Sequence, residues 1–137
     1  IDNTPTEDHL INMGLLADNV FEPLRVHFGW PIQINSFFRS KELNTEIGGS
    51  RTSQHMCNNG AAIDIDDGYA GPSNLEMGDY IRENLDFDQL IIEGVDNNKN
   101  IAWIHVSYTT PDRNRNKVLI MKENKYYPFE GYAEKLL

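Results

Sequence analysis

Apolar residues recur at helical spacing near the start of the chain, with Leu10, Met13, Leu16, Val20 and Leu24 on one stripe. Thr6 precedes them as an N-cap, and Glu7 and Asp8 occupy the first turn, where the helix dipole favours negative charge. The pattern predicts a long amphipathic helix ending near Gly29 and bent at Pro23, which has no N–H for the backbone ladder. Pro31 to Ser36 then alternates apolar and polar residues, as a strand with one buried face does. Ser40 caps a short helix over Lys41 to Glu46 that Gly48 and Gly49 stop. A polar loop rich in Ser and Asn follows, to about Gly60.

Alternation returns from Ala61 to Asp66, placing Ile63 and Ile65 on one face and Ala62, Asp64 and Asp66 on the other. Ser73 and Glu76 form a capping box that opens a helix through Met77, Ile81 and Leu85. Phe87 to Glu93, Ile101 to Tyr108 and Lys117 to Lys122 read as strands, the last turning over Glu123-Asn124 into Lys125 to Tyr127. Early helices and late consecutive strands predict an α+β fold with a mainly antiparallel sheet. With 137 residues, no repeat and no linker-like stretch, one domain over residues 1–137 is expected.

The 12 Lys and Arg against 21 Asp and Glu give a net charge of −9, which disfavours a phosphate backbone as partner. No apolar run approaches the roughly 20 residues of a membrane span. A monomer without nucleic-acid or membrane partners is the default. Cys57 is the only cysteine and is expected to be a free loop thiol; it excludes an internal disulfide framework and says little about compartment. No leader pattern opens the chain, so no export route is visible.

Chemistry concentrates in three places. His55 lies in the polar loop, Asp64 sits among alanines and isoleucines on a strand, and His105 shares a strand face with Trp103 and Ser107. A carboxylate in such surroundings needs something to offset its desolvation, and a metal ion would do so. Two imidazoles and one carboxylate match a catalytic zinc site with an open position, able to promote amide or ester hydrolysis. The ordinary alternative is a solvated His55, a hydrogen-bonded sheet His105 and a turn carboxylate at Asp64. His9 and His27 fall on the first helix and need no function. Asp88 reads as a solvent-facing turn residue.

Arg39 in Ser36-Phe37-Phe38-Arg39-Ser40, then Gly48-Gly49-Ser50, Ser53-Gln54-His55, Gly60-Ala61-Ala62-Ile63-Asp64 and Trp103-Ile104-His105-Val106-Ser107 follow one another in an order that resembles the M15 family of zinc peptidases. The likeness is to the branch holding D-alanyl-D-alanine carboxypeptidases and phage wall-degrading enzymes, and implies their hedgehog-type scaffold. It implies that His55, Asp64 and His105 bind zinc, and that Arg39 pairs with an anionic group of the substrate. Glu93, at the end of a strand that resembles the one entering the site in that branch, is the candidate general base, or else an ordinary strand-end carboxylate before the Gly94 turn. Ser53 and Gln54 line the substrate cleft or cap turns, and Trp103, on the face of His105, walls the pocket or fills the core. The substrate the resemblance implies is the stem peptide of bacterial peptidoglycan, cut at the cell wall. A non-catalytic wall-binding or phage structural domain on the same scaffold is the alternative. One departure stands out: the His55 to Asp64 interval is about two residues longer than usual in the family, an insertion that costs little closure entropy. Asp66, on the same strand face as Asp64, is the fallback ligand.

Overall fold

A computed structural model describes residues 1–137. Its first helical segment is α1, Glu7–Leu16, where Thr6 accepts from the His9 N–H and the His9 ring accepts from the Thr6 N–H, so His9 completes a capping box. The expected bend takes the form of a π-helical turn at Ala17–Phe21, in which the Glu22 N–H reaches Ala17 O. That wider turn accommodates Pro23, whose ring would otherwise crowd the carbonyl four residues back. α2, Glu22–Phe28, then ends at Gly29 in the left-handed conformation.

The remaining elements are β1 (Gln33–Ser36), α3 (Lys41–Glu46), a 3-10 turn (Gln54–Met56), β2 (Ala61–Asp66), α4 (Asn74–Asn84), β3 (Gln89–Glu93), β4 (Trp103–Tyr108), β5 (Lys117–Lys122), β6 (Lys125–Pro128) and α5 (Phe129–Leu136). α5, interrupted at Glu130 and Gly131, was not foreseen from the sequence. The six strands form one mixed sheet in the order β1-β2-β4-β3-β5-β6. All neighbouring pairs are antiparallel except β3 and β5. This fold is the expected α+β class.

β4 and β5 flank β3, so the segment joining them crosses the entry end of β3. One sheet face carries Ile63, Ile65, Leu90, Ile92, Ile104, Val106 and Ile120, all essentially inaccessible. Against it pack Leu16, Val20 and Leu24 from the N-terminal helical run and Met77 and Ile81 from α4. Leu10, expected on that stripe, is 54% exposed, one turn beyond the edge of the core. Because strand side chains alternate, the opposite face of the same strands holds Asp64, His105, Trp103, Ile91 and Glu93, and the helices leave it open.

Candidate metal centre

The centre begins with register. Asp64 of β2 lies directly opposite His105 of β4, so both side chains leave the sheet on the same side. Gly60, at the entrance to β2, holds this pairing close: its φ is +73° and an added Cβ would collide with Tyr108 O. His55 arrives from the loop. Ser53 caps its 3-10 turn, the Arg39 N–H bonds His55 O at 2.8 Å, and the ring Nδ1 lies 2.8 Å from Phe37 O. A bulge in β1 between Ile34 and Ser36, opposite Asp64, precedes that Phe37 carbonyl.

The result is a tight cluster. His55 Nε2 lies 3.2 Å from Asp64 Oδ2, His105 Nδ1 lies 2.9 Å from Asp64 Oδ1, and all three ligand atoms fall within 4.8 Å of one another. Phe37 O can only accept, so His55 carries its proton on Nδ1 and a neutral ring turns the Nε2 lone pair toward Asp64. Two acceptors facing each other in a buried place call for a proton or a cation between them. His55 is 2% exposed, and the donor set of two nitrogens and one carboxylate oxygen suits zinc. Burial alone would raise the Asp64 pKa, but the hydrogen bond from His105 and, once a proton sits between His55 Nε2 and the carboxylate, the hydrogen bond and positive charge there hold it well below the usual carboxylate range.

Around the cluster opens a cleft of about 920 Å³. A family model for peptidase M15 matches residues 2–107 of the chain, which includes every residue of the cluster. The chain belongs to the peptidase M15 family. No curated protein matches it. Peptidases of the M15 family are zinc-dependent, and this member carries a possible metal site at His55, Asp64 and His105.

The longer loop of this M15 chain does not prevent convergence. Cys57 and Asn58 are tied to α1, where Asn12 Nδ2 donates to Cys57 O at 2.8 Å and the His9 ring meets Asn58 Oδ1 at 2.9 Å, while Asn59 stays at the cleft wall. Cys57 is the expected free thiol in this loop; it takes a left-handed φ of 58° and is completely buried. Burial pushes its thiol up to about 11, which leaves it unreactive. Asp66, the fallback ligand, turns instead to Asn74, Asn35 and the Asp67 N–H and stays outside the cluster.

Glu93 lines the cleft on the same face, paired with Trp103 across β3 and β4, and is 7% exposed. Burial, reinforced by the charge of Asp64, pushes its carboxyl up to about 7, a value suited to proton transfer near neutral pH. In metal-free protein this makes a linkage prediction. Below about pH 4.5 the group is protonated folded and unfolded; between 4.5 and 7 only the folded form holds the proton, so stability falls as pH rises and the loss is complete above 7. Glu93→Gln is therefore expected to stabilise the metal-free chain by on the order of 3 kcal/mol at pH 8 and hardly at all at pH 4. Denaturant unfolding at both values checks this.

Arg39, Ser53, Gln54 and Trp103 all line the cleft as well. Arg39 Nη2 donates to Ser53 Oγ at 3.2 Å, while its buried Nε has no partner and no carboxylate pairs with it. Ser53 both caps the turn and steadies this guanidinium. Asp88 is the main surprise: expected at the solvent, it is 3% exposed and bonded to Gln54 and Arg115. Tyr126 of β6 also reaches the cleft wall. Alternation along the hairpin allowed Tyr126 to be placed on this face, but no local pattern names the partner of Asp88, which lies 27 residues away.

Proposed function

We propose that this chain is a zinc metallopeptidase that cleaves a peptide bond in the stem peptides of bacterial peptidoglycan, and that it acts at the cell wall. The observation carrying this reading is the His55–Asp64–His105 cluster, with the His55 tautomer set by Phe37 O, at the floor of an open cleft. Zinc held by His55, Asp64 and His105 would supply Lewis acidity, acidifying a water and polarising the scissile carbonyl. Glu93 takes the proton of the attacking water and returns it to the leaving amine, a role its near-neutral pKa permits. Arg39 lines the cleft with no carboxylate of the chain paired to it, and its guanidinium binds an anionic group of the substrate. Trp103 and Gln54 shape the walls that orient the peptide.

The direct test is zinc stoichiometry by elemental analysis on the full chain, followed by hydrolysis of synthetic stem peptides. One zinc per chain with turnover is expected; zinc without turnover on diverse stem peptides would favour a wall-binding role. Arg39→Ala is expected to lower kcat/KM by roughly 10- to 100-fold, the worth of a charged hydrogen bond, mostly through KM. Arg39→Lys should recover little, since a lysine lacks the planar fork. Steady-state kinetics on a stem peptide decide both.

A further inference from the structure

His55 rides on a single 3-10 turn, Gln54–Met56, too short to hold its own geometry. Its position is set from outside. Phe37 and Arg39 hold His55 itself, and a third anchor holds the neighbouring Gln54, whose Nε2 donates to Asp88 Oδ2 at 3.0 Å and to Asn59 O at 3.3 Å. The buried Asp88 carboxylate has both oxygens fully engaged. Oδ1 accepts from the Arg115 N–H at 3.1 Å and Nε at 2.9 Å, and Oδ2 accepts from Arg115 Nη2 at 2.9 Å as well as from Gln54. Arg115 comes from the segment crossing the entry of β3, beyond the residues matched by the family model, and its side chain stays 55% exposed.

Resting on the metal reading above, we propose that Asp88 and Arg115 are a positioning pair: acting through Gln54, they set the His55 turn against the Asp64 and His105 strands and so fix the metal centre. An exposed ion pair would contribute little, but here the carboxylate is buried and ties β3 to two loops at once. With one acceptor oxygen instead of two and no charge, as in Asp88→Asn, the side chain can no longer hold the Gln54 amide and the Arg115 fork together. The turn bearing His55 then samples positions in which Nε2 is displaced from the other two ligands.

The test is the zinc Kd of the full chain, measured by competition with a chromophoric chelator. Asp88→Asn, which keeps the side-chain shape, is expected to raise the Kd about tenfold with an unchanged far-ultraviolet dichroism spectrum, as supporting residues around metal ligands do. Gln54→Ala should show a similar rise, and the double variant should be no weaker than Gln54→Ala alone. Arg115→Gln, at a more exposed position, should raise the Kd several-fold and carries the test if Asp88→Asn does not fold. A lowered unfolding midpoint with wild-type Kd in these variants would mean packing alone and overturn the proposal. Additive losses in the double variant would overturn the route through Gln54. A wild-type chain that binds no zinc would instead overturn the metal reading itself, and this inference with it.

Discussion

His105→Ala is expected to abolish zinc retention and hydrolysis together while leaving the fold in place. The imidazole is on the open face of β4, whereas its neighbours Ile104 and Val106 fill the core, so alanine removes a ligand without opening a cavity among the packed residues. Asp64 and His55 are then left with two donors, too few for a stable catalytic zinc site. Loss of the several kcal/mol of transition-state stabilisation that such an ion supplies corresponds to at least about a thousandfold in rate. Elemental analysis, a stem-peptide assay and a denaturation curve on the same preparation check all three parts. A variant that kept full zinc and full activity would remove His105 from the site.

Glu93→Gln separates metal binding from proton transfer. Glutamine keeps the shape and burial of the side chain but cannot accept the proton, so zinc content should stay at the wild-type level while kcat falls by roughly 10²- to 10⁴-fold. The loss should appear in kcat more than in KM, since in the proposed mechanism the residue acts on the attacking water and not on substrate affinity. Retained kcat would exclude Glu93 as the base and direct attention to other groups on the cleft wall. The two variants thus fail in different ways: one loses the ion, the other only the chemistry.

Much of the fold is legible in local pattern. The capping box at Ser73, the αL glycine closing α2 and the hairpin over Glu123-Asn124, both at positive φ, are decided by residues within one turn of each other. Pro23 announces a bend but not its form, because a π turn depends on how the helix is pressed against the sheet. Leu10 follows the helical stripe and still faces solvent, since the core ends before that turn. The parallel pairing of β3 with β5 is absent from any local signal: it follows from β4 having taken one side of β3, which leaves only the other edge for β5.

The candidate site divides in the same way. Strand parity alone puts Asp64 opposite the isoleucines and His105 beside Trp103, the polar loop before that strand offers His55 as the third ligand, and the M15 likeness supports the set and adds Glu93. What the chain order could not say is whether a lengthened loop would still deliver His55 to Asp64, or that Asp88 would be buried beneath Arg115. Those outcomes depend on contacts between residues far apart in sequence: Phe37 with His55, Asn12 with Cys57, Gln54 and Arg115 with Asp88. Periodicity reports which face a residue belongs to, because that is a property of one segment's geometry. Which groups meet across a cleft, and what burial then does to the Glu93 carboxyl, is set by packing among segments and belongs to the tertiary structure alone.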